Sequence, residues 1–235
     1  MLSLLATDLV KRYGDATALD VPHLEIRPGE AVGLVGNNGA GKTTLLRLAL
    51  DLIRPTAGTV AIGGVAVSES AAWKPGVGAF LDAGFLVDYL RPDEYVRLVG
   101  GAYGLSAAEC DARAEGFAAF LGPTVTAGGL IRDLSLGNAN KVGIVGALLP
   151  RPGLVVLDEP FANLDPGARI ALEGLLRAER ARGATLVVSS HDLEHVASVC
   201  SRILVMAQGR VVRDTPSAPE TLGELRAFFE QGGVA

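Results

Sequence analysis

The chain has 235 residues, 49% apolar and 20% charged, with a formal net charge of −5. A chain of that length buries a proper core, and that composition excludes global disorder. The acidic balance, with no run of Lys or Arg, disfavours a nucleic-acid partner held by a basic surface. A mean hydropathy of +0.34 invites a membrane reading. The densest apolar segment, 142–149, is however closed by Lys141 and Pro150, well short of the ~18–20 residues a spanning helix needs. The first eight residues lack the basic leader and long apolar core of a secretory signal, so none is expected. Cys110 and Cys200 are too few for a disulfide framework and read as small buried hydrophobes of a reducing compartment.

Strand-like and helix-like segments alternate along the chain. Strands are expected at 2–10 and 18–26, joined through a turn around Tyr13-Gly14-Asp15, and at 31–35. A Gly-rich turn follows, then a helix over 42–51. Residues 58–62 and 77–81 read as further strands. Between about 85 and 135 the pattern becomes helical: Pro92 starts one helix to about 103, and Ser106 caps another through about 120. Strands resume at 154–157, 185–188 and 203–206, separated by helices over 166–182 and 192–199, and a last helix covers 219–230. Such alternation predicts an α/β fold with a mostly parallel sheet covered on both faces.

Gly36-Asn37-Asn38-Gly39-Ala40-Gly41-Lys42-Thr43 fits G-x-x-x-x-G-K-[ST] and lies between a predicted strand and a predicted helix. Its glycines let backbone N–H groups turn inward around phosphate oxygens, and the helix aims its positive end at the same point. Lys42 then reaches the β and γ phosphates, Thr43 ligates Mg²⁺, and Thr44 adjoins the cradle. The apolar run 154–157 ends in Asp158 and Glu159. Carboxylates at the carboxyl end of a parallel strand suit catalysis: Asp158 for the Mg²⁺ shell, Glu159 for the water attacking the γ phosphate. Alone, an Asp-Glu pair is more often a solvated turn; the upstream loop reverses those odds.

Taken together the motifs resemble those of the ATP-binding subunit of an ABC transporter, over nearly the whole chain. Leu134-Ser135-Leu136-Gly137-Asn138 stands where that family has L-S-G-G-Q, ahead of a helix expected at 141–149. Asn163-Leu164-Asp165 resembles the D-loop, and Ser189-Ser190-His191-Asp192 the switch-histidine segment. Tyr13 falls where the family stacks an aromatic on adenine. The resemblance implies a P-loop NTPase (RecA-like) fold with an N-terminal antiparallel β subdomain and a helical subdomain inserted at about 85–135, residues 1–235 forming a single unit. It implies ATP and Mg²⁺, with His191 sensing the γ phosphate. It further implies Ser135 and Gly137 donating to the ATP of a second, identical or different, ATP-binding subunit. A separate integral membrane permease would be driven from the cytoplasmic face of the cell membrane, with export as the expected direction and no nucleic acid involved.

Two departures stand out. The signature carries Leu136 and Asn138 in place of Gly and Gln. Asp82 stands where the family has a metal-ligating Gln; its shorter side chain reaches the metal directly or through a water, or serves to dock the permease. The rival class is a soluble ATPase of the same head acting on nucleic acid or ribosomes. A single head, no coiled-coil insertion and the acidic balance weigh against it. Glu159 weighs against a regulator without turnover. His23 and His195 read as surface or half-buried rings.

Overall fold

Two strands flanking a tight turn pair by their alternating apolar residues. β1 (Leu4–Tyr13) and β2 (Ala16–Ile26) form an antiparallel hairpin in the computed structural model, which describes residues 2–230. The strands run closer to the turn than the sequence pattern predicts, so Tyr13 is a strand residue and the turn is Gly14-Asp15, with Gly14 at φ +58°. The chain then forms β3 (Ala31–Val35) and α1 (Lys42–Ala49). β4 (Ala57–Ile62) returns antiparallel to β1, with the two-residue β5 (Val65–Ala66) at its edge. This four-stranded sheet has the order β2-β1-β4-β5.

After β6 (Val77–Phe80) comes a helical stretch: α2 (Pro92–Ala102), α3 (Ala107–Glu115), α4 (Ala118–Thr126) and α5 (Leu136–Leu148). The rest of the chain is β7 (Leu154–Leu157), α6 (Pro166–Ala181), β8 (Thr185–Ser190), α7 (Leu193–Val199), β9 (Arg202–Ala207), β10 (Arg210–Pro216) and α8 (Pro219–Glu230). The second sheet has the order β10-β9-β3-β8-β7-β6. All its pairings are parallel except that of β10 with β9.

Every residue of β3, β7 and β8 is buried, as strands covered on both faces require. Their side chains alternate between two cores. Val155, Leu157, Leu186 and Val188 join the helices α5, α6 and α7; Leu154, Val156, Val187 and Leu34 join α1 and the antiparallel sheet. The parallel strands thereby bring the carboxyl ends of β3, β8, β7 and β6 side by side. Both cysteines are buried, and burial pushes the Cys200 thiol up to about 12.

Several boundaries differ from the sequence reading. The helix expected from Ser106 through 120 breaks at Gly116-Phe117 into α3 and α4. α5 starts at Leu136 rather than 141, because the Ser135 side chain accepts from the Asn138 N–H and caps it there. Asp192 caps α7 rather than belonging to it. β5 and β10 escape the pattern; β10 is an edge strand with mostly exposed residues.

Candidate functional site

β3 delivers the chain to Gly36, where a side chain has no room: a Cβ would sit 2.3 Å from the Met206 carbonyl oxygen. Gly41 caps α1 at φ 101°, a left-handed conformation that favours glycine, and offers no side-chain acceptor to the helix's first N–H groups. An anion takes that place readily. Lys42 is 6% exposed. Its ammonium donates to the Gly36 oxygen at 2.6 Å and the Asn37 oxygen at 3.4 Å, and lies 3.3 Å from Glu159 Oε1. Asn37, Asn38, Gly39, Ala40, Gly41, Lys42, Thr43 and Thr44 line one pocket of about 220 Å³ together with Ala18 and Glu159. Gly36 stands behind it, holding Lys42.

Asp158 and Glu159 follow β7 directly. The Asp158 N–H donates to the Phe80 oxygen of β6 at 2.9 Å, which fixes the backbone. The buried carboxylate accepts from Thr43 Oγ1 at Oδ2, 2.6 Å, and from the Ser189 hydroxyl at Oδ1. Ser189 also accepts from the Glu159 N–H at 2.9 Å. Glu159 holds φ +46°, in the region few non-glycine residues enter. Its Oε2 lies 2.8 Å from His191 Nδ1 and accepts from the His191 N–H at 3.2 Å. Lys42, Thr43, Asp158, Glu159 and His191 thus meet at one point.

Ser189 is the member whose role the sequence reading missed. Its position becomes telling only once β8 is known to neighbour β7. Lys141 is another. Buried at 8% exposure as the one charged residue of its helix, it needs a partner, and finds Asp165 Oδ2 at 3.3 Å. Asp165 caps α6; the Ala168 N–H and then Lys141 hold its carboxyl below the usual range. Asn140 Nδ2 donates to the Ala162 oxygen at 3.4 Å, and a Cβ on Gly137 would lie 2.1 Å from the Asn163 oxygen. The start of α5 is thereby locked to the loop after Glu159.

Other expected residues stand apart from this pocket. Tyr13 is 56% exposed with the Lys11 ammonium 4.9 Å above its ring. Ser135 and Gly137 begin α5 and do not line the pocket. Asp82, expected near the metal, instead accepts from the Gly84 N–H at 2.7 Å and sits 4.0 Å from Arg47 Nη2. One oxygen of its exposed carboxylate is thus taken by its own turn, and the residue does not line the pocket.

A phosphate-binding loop backed by an Asp-Thr pair and a Glu-His pair, on a parallel sheet, defines a P-loop ATPase. Residues 19–162 match the family described as "ABC transporter". Over 214 residues the chain is 36% identical to the "Nod factor export ATP-binding protein I" of Paraburkholderia xenovorans (strain LB400), covering 88% of this chain and 69% of that protein. It superposes with a TM-score of 0.82 and 30% identity on a solved "ATP binding subunit of ABC transporter", covering 98% of this chain and 95% of that one. A dimeric post-hydrolysis ATP-binding cassette, MJ0796 bound to ADP and Pi, gives a TM-score of 0.81 at 25% identity, covering 92% of this chain and 99% of that one. The chain belongs to the ABC transporter family: it is an ATP-binding subunit, an ATPase that powers transport.

Proposed function

We propose that the chain hydrolyses Mg²⁺-ATP through Lys42, Thr43, Asp158, Glu159 and His191, and drives an exporter. The observation that carries this is Glu159, whose two carboxylate oxygens face Lys42 on one side and His191 on the other. Phosphate oxygens in the loop compete with Glu159 for the Lys42 ammonium. A lysine drawn to them leaves Oε1 to accept a proton from water. The His191 ring then donates toward the γ phosphate.

The donor set fits Mg²⁺. Thr43 Oγ1 and Asp158 Oδ2 are hard oxygens 2.6 Å apart. Among the described residues no group of three or more His, Cys, Asp and Glu could hold a metal by itself, and Mg²⁺ characteristically takes one or two protein oxygens beside phosphates. Bound there, the ion neutralises charge on the phosphates.

Ser135 and Gly137, away from the chain's own loop, serve the ATP of a second subunit; the MJ0796 cassette is dimeric. Among the described residues no helix is long and apolar enough to cross a membrane. In this reading the subunit works beside a separate permease, on the cytoplasmic face. Asp82 rims a groove of about 360 Å³ that includes Trp73, Phe80, Phe85 and Tyr103, and takes part in docking that partner. Export follows the Paraburkholderia relative's name.

Glu159→Gln tests the reading. The amide cannot take the proton, so hydrolysis is expected to fall by about 10²–10⁴-fold. ATP should stay bound and an ATP-stabilised dimer accumulate on sizing columns. Turnover at the wild-type rate would remove Glu159 from the reaction.

A further inference from the structure

His195 is a half-buried ring that the site as described leaves unused. Its plane lies 17° from that of Phe161, with centroids 4.7 Å apart. Nδ1 is 3.1 Å from Glu173 Oε1 on α6, and Nε2 is 3.6 Å from Asp192 Oδ2. Glu173 is itself held by Arg177 at 3.0 Å, whose Nε donates to the Ser198 oxygen on α7 at 3.1 Å. Two of these three contacts lead to segments next to the chemistry. Phe161 is two residues beyond Glu159, and Asp192 directly follows His191. Glu159 and His191 meet on the phosphate side; two and four residues further on, Phe161 and His195 meet on the other.

We infer that His195 is a positioning residue: by stacking on Phe161 and pairing with Glu173, with Asp192 close to its other nitrogen, it holds the loop after Glu159 and the His191 segment as one body braced on α6. The physical case is geometric. His191 is 64% exposed and is tied to the rest of the site by its contacts with Glu159. The seven-residue α7 that follows gives it little rigidity of its own. A ring stacked on Phe161 and hydrogen-bonded at Nδ1 to Glu173 restrains rotation of α7 about its axis, and with it the direction of the His191 ring. Stacking contributes through ring overlap, and the carboxylates set the ring's orientation. The inference rests on the roles proposed above for Glu159 and His191.

The test is a double-mutant cycle with His195→Ala and His191→Ala, read as kcat and KM for ATP. His195→Ala alone is expected to lower kcat about tenfold, the scale of a small misplacement, with KM within about twofold. In the His191→Ala background the same change should cost nothing further, because the residue it acts through is gone. Equal losses in both backgrounds, a rise in KM alone, or an unchanged kcat overturns the inference. His195→Gln, which keeps a donor but not the stack, replaces the alanine variant if that one loses ATP binding. A second readout needs no turnover. In histidine-labelled ¹⁵N spectra the ring signals of His191 should shift on His195→Gln while those of His23, on β2, stay. Unmoved His191 signals overturn the inference even where hydrolysis itself is absent, which separates its failure from failure of the proposed function.

Discussion

The carboxyl edge of the six-stranded sheet and the helical stretch between β6 and α5 hold their shapes by different means. At the sheet edge, Val155, Val156, Leu157 and Leu186 are wholly buried, and Asp158, Glu159 and His191 leave directly from strand ends. Thr43, in the first turn of α1, meets Asp158 there at 2.6 Å. In the helical stretch the ties are charged and exposed. Arg97 grips Asp111 with two bonds of 2.8 and 3.0 Å, joining α2 to α3. Glu94 and Glu109 reach back to the N–H groups of Arg91 and Ser106 at the helix starts. α4 even contains Gly122 at φ 74°, followed by Pro123. Rigid geometry is placed where phosphate chemistry needs it. The helical stretch adds local caps and exposed pairs to a smaller set of buried residues, among them Val96, Cys110, Phe120 and Val125, and so relies more on ties that water and salt weaken.

The widest separation between the two regions is in stability. Leu157→Ala, at the strand end beside Asp158, removes a fully buried side chain and leaves a cavity; about 2–5 kcal/mol should be lost. The loss is measured as a lower urea midpoint at an unchanged slope. A loss under about 1 kcal/mol would show that the sheet edge is as compliant as the helices, and the contrast would fail.

A smaller effect is expected inside the helical stretch, at Gly100 of α2. A Cβ there would lie 2.2 Å from Cys110 Sγ and 3.2 Å from a Leu149 methyl. Gly100→Ala overpacks this contact at about 1–3 kcal/mol, offset by up to about 1 kcal/mol of helix preference. Net destabilisation of about 1 kcal/mol, again by urea titration, fits a packed α2–α3 contact. Net stabilisation would mean that α3 simply moves away, sharpening the view of this region as compliant.

The phosphate loop was legible in the sequence because its backbone demands are written as residue types: Gly36 has no room for a Cβ, and Gly41 takes a positive φ. Asp158 and Glu159 were legible as carboxylates closing an apolar run. What stayed hidden depends on which strands become neighbours. Ser189 looks like any serine until β8 lies beside β7. Asp82 was legible only as a choice between metal contact and docking; its bond to the Gly84 N–H, within its own turn, is a local detail the sequence did not show. The α3–α4 break was hidden in an Ala-rich run that reads as continuous helix. β10 was hidden because an exposed edge strand carries polar residues on both faces.

The smallest effect belongs to the surface of the helical stretch, and its sign with pH separates it from the sheet. The Arg97 hydrogen bonds, followed by the burial they work against, leave the Asp111 carboxyl below its ordinary value. A carboxyl depressed in the folded state contributes stability that is fully present above the unfolded value, about 4. That contribution is lost as pH falls through the depressed folded value. Arg97→Ala should therefore lower Tm slightly at neutral pH, and the gap from the wild type should close as the solution is acidified below the carboxylate range. Because both partners are exposed, added salt should also narrow the gap. Melting curves of the two proteins from pH 7 down to pH 2, at low and high salt, check all three expectations. A gap that stays unchanged in acid and in salt would mean that Arg97 supports the α2–α3 contact through its aliphatic stem rather than its charge, and the helical stretch would then resemble the sheet more than its exposed ion pairs suggest.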